Sequence, residues 1–339
     1  MGQNLFNLSL LAVQSSLREL LTFPLAFLIL AGLMCLICAC RPAANAQKPT
    51  APLPPIPFAA ANGSNALQRV TALCDLGPRD AGTPGAERAA QWLAAELRRD
   101  GLTPRIETFT NDTPSGPLTC HNVLATVPCA HVGEAEQKDN WIVLLSHFDT
   151  KSGISPAFIG ANDGGSSSAL LLELARVMRG TPLRNCHVLF GFLDGEECRV
   201  QYGPRDGFHG SRHLAAQFAV EKPQIRAVIL LDMVGDRSLS ITLPSNGTPH
   251  LTMLALQAAK TVGARDKFQL ADGRILDDHQ AFLDAGFPAV DLIDFAYGSA
   301  PGLNDYWHTV DDTPDKLSAA SLTIVGQVVA EMLRHLDAE

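Results

Sequence analysis

The sequence is poor in positive charge. Lysine and arginine number 26 against 35 aspartates and glutamates, which gives a formal net charge of −9 and a pI near 5.5. A nucleic-acid-binding surface needs an excess of cations, so this balance argues against a nucleic-acid partner. Charged residues are only 18 % of the chain, which also argues against an acidic disordered protein.

Paired cysteines and internal repeats are also lacking. The spacing CxxC occurs only inside an apolar N-terminal run, so a cysteine-ligated zinc site is not expected. Five cysteines follow Cys40, and Cys120 and Cys129 could bridge if the compartment is oxidising. Because no repeat or long linker interrupts the chain after about residue 60, its 339 residues predict one large domain.

The N-terminal segment is distinct from the rest. Residues 20–39 are almost wholly apolar, long enough to cross a bilayer, and end at Cys40 in a pattern that resembles the lipobox of bacterial lipoproteins. Cleavage after Ala46 and a retained anchor are the alternatives. We expect residues 1–40 to be a signal peptide, lipoprotein signal or membrane anchor, and residues 41–61 a proline-rich linker. Each alternative places residues 62–339 outside the cytoplasm, in the cell envelope or secreted.

Strands and helices alternate through the remaining chain. Apolar runs at residues 141–146, 188–193, 225–231 and 288–293 predict buried strands. Residues 105–110 and 121–127 are expected to form an edge strand and its partner, while residues 86–100 and 317–336 are predicted helices. The alternation predicts an α/β fold, a three-layer α/β/α domain with a central mixed, mostly parallel sheet covered on both faces.

Acids and histidines follow the ends of these predicted strands. The clearest case is the apolar run that stops at Asp194-Gly195 and is followed by Glu196 and Glu197. The others are His147, Asp163, Asp232, Asp277, Asp278 and His308. Because the carboxyl ends of parallel strands meet at one edge of a sheet, we expect these side chains to converge there. Carboxylates and imidazoles around a common point are typical of a zinc or other transition-metal site.

Chemistry suggests a role for several of them. Asp163, Glu197 and His308 would complete a tetrahedral zinc site with one open position. Glu196, beside a ligand but pointing elsewhere, is placed as a proton shuttle. Asp149 could orient His147 or could cap a turn. For any single acid the ordinary alternative is a helix cap, and this applies most directly to Asp163, which precedes a predicted helix.

Longer strings carry a resemblance to a known family. They are Asp-Gly-Glu-Glu at 194–197, an inserted aromatic-x-Pro-x-Asp at 202–206, Gly-Ser-Arg-His-Leu-Ala at 210–215, Asp-Asp-His-x-x-Phe-Leu at 277–283 and Trp-His-Thr-x-Asp-Asp at 307–312. These strings resemble the animal-type glutaminyl-peptide cyclotransferases, which share a zinc-dependent exopeptidase fold and ligand set with bacterial dizinc aminopeptidases. The aminopeptidases usually keep Glu-Glu close to Gly-Ser, whereas residues 198–209 separate them here, so the insert favours the cyclotransferases.

The resemblance implies an enzyme that cyclises N-terminal glutamine to pyroglutamate with release of ammonia. It implies one Zn²⁺ bound by Asp163, Glu197 and His308. Glu196 would relay a proton, and Asp232 and Asp277 would complete its hydrogen-bond network. The implied partners are N-terminal glutaminyl peptides or proteins, with the membrane contacted only through the N-terminal segment, and the domain is expected to be a monomer.

Tyr202, Ile275 and Trp307 are the expected substrate-binding residues, and an ordinary packed position is the alternative for Trp307. Tyr202 stands where the animal enzymes have tryptophan. Ser146 and Ser168 occupy the positions of a disulfide in those enzymes, which therefore cannot form here. The loop before Trp307 also looks longer than in those enzymes.

Two other functions remain open from the sequence. A co-catalytic dizinc aminopeptidase would bind a second metal with His147 and Asp232, bridged by Asp163, and would use Glu196 to activate water. A non-catalytic binding domain tethered to the envelope is the third possibility.

Overall fold

The computed structural model describes residues 62–130 and 140–339. Its strands are β1 (Arg105–Thr113), β2 (Gly116–Val127), β3 (Asn140–His147), β4 (Cys186–Leu193), β5 (Gln224–Asp232), β6 (Ile241–Leu243), β7 (Phe268–Leu270) and β8 (Ala289–Ile293). Its helices are α1 (Gly63–Cys74), α2 (Pro84–Arg99), α3 (Gly165–Gly180), α4 (His209–Glu221), α5 (Pro249–Val262), α6 (His279–Asp284) and α7 (Ala319–Ala338).

The strands form one sheet in the order β1-β2-β4-β3-β5-β8-β6-β7. The four central strands, β4, β3, β5 and β8, are mutually parallel. β1 and β2 form an antiparallel hairpin, and β2 pairs antiparallel with β4. The predicted mixed, mostly parallel sheet is confirmed. The sequence did not predict β6 and β7, because three residues are too few to show an alternation of apolar and polar side chains.

Helices cover both faces of this sheet, and β3 shows why. Ile142 and Leu144 pack into a core with α1, α2, α3, α5 and α7 on one face. Val143 and Leu145 pack into a second core with α4 and α6 on the other. Successive strand side chains point to opposite faces, so a strand buried on both sides is apolar at every position. The predicted three-layer architecture follows directly from that pattern.

Several predictions concern residues 1–61, which lie outside the described residues. These are the signal or anchor, the lipobox cysteine Cys40, the site after Ala46 and the proline-rich linker. Within residues 62–130 and 140–339, no helix combines the length and the apolar character that crossing a bilayer requires.

A bridge between Cys120 and Cys129, which the sequence left open, is contradicted by the structure. Cys120 lies within β2, and Cys129 follows two residues after the end of that strand. An extended strand rises about 3.3 Å per residue, so the seven steps from Cys120 to Val127 already separate the two ends by roughly 23 Å. A disulfide requires Cα atoms within about 7 Å. All five cysteines of the described residues are free thiols, and all are buried.

Candidate active site

The site lies at the carboxyl ends of the neighbouring strands β4, β3 and β5. β3 ends at His147 and β5 ends at Asp232, while Glu196 and Glu197 follow the turn after β4. The turn depends on Gly195, whose φ is +76° and whose added Cβ would lie 2.9 Å from the Cys120 sulfur. The chain therefore reverses tightly enough to place both glutamates at the edge of the sheet.

Two loops supply the remaining side chains. Asp163 stands just before α3, and the next residue, Gly164, has a φ of +75° and lies against the ring of His147. Gly164 is also the N-cap of α3, so Asp163 does not serve as the helix cap that was its alternative explanation. His308 adopts a φ of +56°. A left-handed backbone costs a non-glycine residue roughly 1–2 kcal/mol, so the surrounding contacts must hold His308 in place.

Asp163, Glu197 and His308 form a cluster whose candidate ligand atoms lie within 4.8 Å of one another. The Nε2 atom of His308 is 2.8 Å from Glu197 Oε1 and 3.3 Å from Asp163 Oδ2. That Asp163 oxygen is buried and makes no hydrogen bond within the described residues. The cluster fits a zinc ion, because it combines two buried carboxylates, an imidazole and an Asp163 oxygen that has no hydrogen-bond partner among the described residues.

A second cluster shares Asp163. His147 Nε2 lies 3.2 Å from Asp163 Oδ1 and 3.2 Å from Asp232 Oδ1, and these three residues could also hold a metal. Burial alone would lower the pKa of His147, but the charge of Asp232 and hydrogen bonds to the surrounding aspartates outweigh it and hold the pKa well above its usual value. The geometry thus provides the five residues that two metals would need.

Glu196 is buried beside the first cluster without belonging to it. Burial, and after it the charge of Glu197, holds the pKa of Glu196 well above its usual range. The hydroxyl of Tyr202 donates to Glu197 Oε2 at 3.0 Å and lies 3.3 Å from Glu196 Oε2. A buried carboxyl group with a raised pKa is suited to general acid–base chemistry.

These residues line a pocket of about 280 Å³. Its wall includes all three residues expected to bind substrate, Tyr202, Ile275 and Trp307, together with Asp232 and Asp277. Trp307 is also packed, because its ring stacks on His308 with centroids 4.0 Å apart and lies 5.2 Å from the ring of Phe295. The carboxylate of Asp232 is hydrogen-bonded to the ring of His147. The carboxylate of Asp277 accepts the backbone N–H of Asp278.

Asp149 lies beside His147 and caps the turn after β4. Its Oδ1 lies 3.5 Å from Nδ1 of His147. Its two oxygens also accept the backbone N–H groups of Glu196 at 3.1 Å and Glu197 at 3.2 Å. One fully buried carboxylate therefore ties the end of β3 to the turn after β4.

Sequence reasoning missed Lys151, Asp291 and the structural role of Asp312. The Lys151 ammonium lies 3.3 Å from Glu197 Oε2. Asp312 accepts the backbone N–H groups of Asn162 at 2.7 Å and Asp163 at 3.1 Å, and burial raises its pKa to about 7. Asp291 is fully buried on β8, and its Oδ2 lies 3.8 Å from Nδ1 of His279. An aspartate inside an apolar strand was a visible signal for Asp291, whereas nothing local marked Lys151.

Comparison with known proteins agrees with this architecture. Residues 122–333 match Peptidase family M28. The glutaminyl-peptide cyclotransferase-like protein of Bos taurus is 29 % identical over 288 residues, which cover 75 % of this chain and 71 % of that protein.

Solved structures give the same result. Glutaminyl cyclase from an Acidobacteriales bacterium superposes with a TM-score of 0.77 at 34 % identity, over 86 % of this chain and 99 % of that one. Glutaminyl cyclase from Fimbriiglobus ruber gives a TM-score of 0.69 at 30 % identity, over 87 % of this chain and 99 % of that one. The chain therefore belongs to Peptidase family M28 and, within it, to the glutaminyl cyclases.

Proposed function

We propose that this protein is a glutaminyl-peptide cyclotransferase, which converts the N-terminal glutamine of peptides and proteins to pyroglutamate and releases ammonia. The observation that carries the proposal is the position of the insert after Glu197. Its Tyr202 reaches back to hydrogen-bond both Glu196 and Glu197. The insert that distinguishes this chain from aminopeptidases in sequence is therefore part of the site itself.

The pocket suits a single N-terminal side chain. At about 280 Å³ it is a small cleft, with apolar walls from Ile275, Ile293 and Trp307 and carboxylates at its base. The apolar walls would hold the methylene groups of a glutamine and exclude water from its amide. Asp163, Glu197 and His308 would hold a zinc ion at the base. Bound there, zinc supplies Lewis-acid chemistry, the polarisation of a carbonyl oxygen.

Glu196 is the group we assign to proton transfer. As the α-nitrogen bonds to the side-chain carbonyl carbon, it loses a proton, and the departing amide nitrogen must gain one to leave as ammonia. Glu196 accepts the first proton and donates the second, so it ends each turnover in the state in which it began. Its raised pKa brings these two states closer in free energy. Asp232 and Asp277 line the same pocket, and we assign them to the hydrogen-bond network around Glu196.

We propose one zinc ion in the cluster of Asp163, Glu197 and His308. Cyclisation is intramolecular, so the nucleophile is already part of the substrate and no metal-activated water is required. A dizinc aminopeptidase would instead occupy the second cluster through His147 and Asp232. Elemental analysis of the purified protein gives the count directly, and two tightly held zinc ions per chain would contradict the single-metal assignment.

The test of function uses two short peptides that differ in their first residue. Residues 62–339 are incubated with a peptide beginning with glutamine and one beginning with leucine, with and without a chelator, and the masses are measured. We expect chelator-sensitive loss of ammonia from the glutamine peptide alone. Release of free leucine would establish an aminopeptidase, and no change in either peptide would support a non-catalytic domain.

Glu196→Gln tests the proton-shuttle role. We expect turnover to fall by about 10²–10⁴-fold, the usual contribution of general acid–base catalysis, with the zinc content unchanged. Glu221→Gln, at the exposed end of α4, is the matched control and should keep full activity. Loss of zinc in Glu196→Gln would mean that the roles of Glu196 and Glu197 are exchanged.

We also propose that the domain works outside the cytoplasm as a monomer, held to or released from the membrane by residues 1–61. The apolar run and Cys40 support an anchor or lipoprotein signal, and the proline-rich residues 41–61 support a spacer. Fractionation of cells that express the full chain, with mass spectrometry of its N-terminal peptide, would distinguish lipidation at Cys40 from cleavage after Ala46. Light scattering of the domain tests the monomer.

A further inference from the structure

A second cavity adjoins the catalytic pocket. It has a volume of about 440 Å³ and lies between α4 and α6. Leu276 and Asp277 line both cavities. Leu276 is 59 % exposed, and Asp277, only 3 % exposed, has its Oδ2 atom without a hydrogen-bond partner in the described residues. The two cavities are therefore neighbouring parts of one depression, with Leu276 and Asp277 at their junction.

The cavity is a groove that leads away from the catalytic pocket. On the α4 side it is lined by Phe208, Arg212, Ala216 and Ala219, which recur on one face of the helix. The ring of Phe208 stacks on that of Tyr202 with centroids 4.7 Å apart, so this end abuts the catalytic residues. From Phe208 to Ala219 the helix rises roughly 16 Å, the length of four or five extended peptide residues.

The other wall is formed by α6 and the residues just before and after it. It begins at Asp277, which also lines the catalytic pocket, and continues through Gln280 and Ala281 to Asp284 and Ala285. Alanines on both sides leave room for a peptide backbone between the helices. A substrate whose first residue occupies the catalytic pocket must direct the rest of its chain outward, and this groove is continuous with that pocket.

Positive charge marks the near part of the groove. Arg212 lies one helical turn beyond Phe208, with its guanidinium 5.5 Å from the centre of that ring. Its Nη1 atom is buried and finds no hydrogen-bond partner in the described residues. Arg274, which lines the catalytic pocket, donates to the side chain of Gln280 at 3.2 Å. The exposed carboxylate of Asp284 also lines the groove, and Arg212 interacts electrostatically with Asp278, Asp284 and Asp206.

We propose that this groove binds the peptide residues that follow the N-terminal glutamine, and that Arg212 selects an acidic side chain at the second or third residue. The proposal rests on the cyclotransferase function proposed above. An acid at that distance would pair with the Arg212 guanidinium, which lines the groove, through a charge-assisted hydrogen bond. An acid further along the peptide would lie beyond the reach of Arg212 and lose the advantage.

The test is a set of amidated pentapeptides, Gln-Ala-Ala-Ala-Ala, with one alanine replaced by aspartate or by asparagine at each of positions two to five. Ammonia release gives kcat/KM for each peptide. We expect aspartate to exceed asparagine by about fivefold to tenfold at position two or three, the range for a partly exposed charge-assisted hydrogen bond. At position five the ratio should return to about one, because the side chain lies beyond the reach of Arg212.

Arg212→Gln is the informative variant, and Arg98→Gln, an exposed arginine on α2, is the matched control. The aspartate-to-asparagine ratio at the preferred position should fall to about one in Arg212→Gln. It should remain in Arg98→Gln and be partly kept in Arg212→Lys, which preserves the charge. The ratio is taken within each variant, so a general change in activity cancels.

Glutamine amide separates this inference from the proposed function, since it is too short to enter the groove. If glutamine amide is cyclised and the ratio does not depend on position, or Arg212→Gln leaves it unchanged, the groove assignment is overturned and the function stands. If neither glutamine amide nor any pentapeptide is cyclised, the proposed function itself fails.

Discussion

The serines at positions 146 and 168 offer a quantitative test of the fold around the site. Their hydroxyl oxygens lie 3.1 Å apart, and Ser168 also donates to the carbonyl of His147 at 2.7 Å. These are the positions that the resemblance to the animal enzymes associates with a disulfide. The double variant Ser146→Cys/Ser168→Cys should therefore form that bridge, because its sulfurs need to move only about 1 Å closer than the oxygens now lie.

The expected stability follows from two opposing contributions. Bridging positions 22 residues apart removes unfolded-chain entropy that is equivalent to about 3 kcal/mol at 25 °C. The two hydrogen bonds lost with the serines contribute about 1 kcal/mol each. We therefore expect the reduced variant to be less stable than the native protein by about 2 kcal/mol, and the oxidised variant to be more stable than it by about 1 kcal/mol.

Thermal unfolding with and without reductant measures both differences, and thiol titration under denaturing conditions counts free cysteines. Oxidation should remove the two introduced thiols and leave the five native ones of residues 62–339. For a domain of this size, 3 kcal/mol between the oxidised and reduced forms corresponds to a shift in Tm of roughly 6–12 °C. Ser146→Cys alone is the control and should not respond to reductant. If both thiols persist after oxidation, or the oxidised form melts below the reduced one, the placement of β3 against α3 is wrong.

Two further predictions concern Tyr202 and His279. Tyr202→Phe should lower kcat/KM about fivefold to tenfold with little change in Tm, because it removes the hydrogen bonds to Glu196 and Glu197. Tyr202→Trp, which keeps a donor, should lose less activity. Equal activity in the native protein and both variants would show that the hydroxyl is dispensable. Burial lowers the pKa of His279 to about 4 from 6.5. Between pH 6.5 and 4 the unfolded chain therefore binds a proton at His279 that the folded protein does not. The free energy of unfolding falls as the pH falls through this range, by at most about 3 kcal/mol. Acid unfolding of His279→Gln, which keeps an acceptor for Asn246, should show a shallower loss, and an unchanged pH dependence would exclude His279 as its source.

Local pattern was enough to predict most of the fold. The continuous apolar runs of β3, β4 and β5 predicted buried parallel strands, because a strand covered on both faces has no solvent-facing position. The placement of acids and histidines at their ends predicted a common edge. Where the pattern was too short, as in the three-residue strands β6 and β7, the prediction missed an element.

The sequence did not predict which residues contact one another in the site. β3 lies between β4 and β5, and that order brings His147, Glu197 and Asp232 together across long sequence separations. Cys120 lies within β2 and Cys129 lies beyond its end, so the two cannot bridge, and the fold brings Lys151 to 3.3 Å from Glu197.

The sequence by itself determined the family, the strand–helix alternation and the residues from which a zinc site can be built. These follow from residue spacing and from motifs that are local in the chain. The tertiary structure alone decided that Tyr202 hydrogen-bonds both glutamates and that Asp149, beyond the end of β3, accepts from the turn after β4. It also decided that a groove between α4 and α6 adjoins the pocket. Such contacts depend on strand order and on burial across the whole sheet, and neither is encoded in the spacing of a single segment.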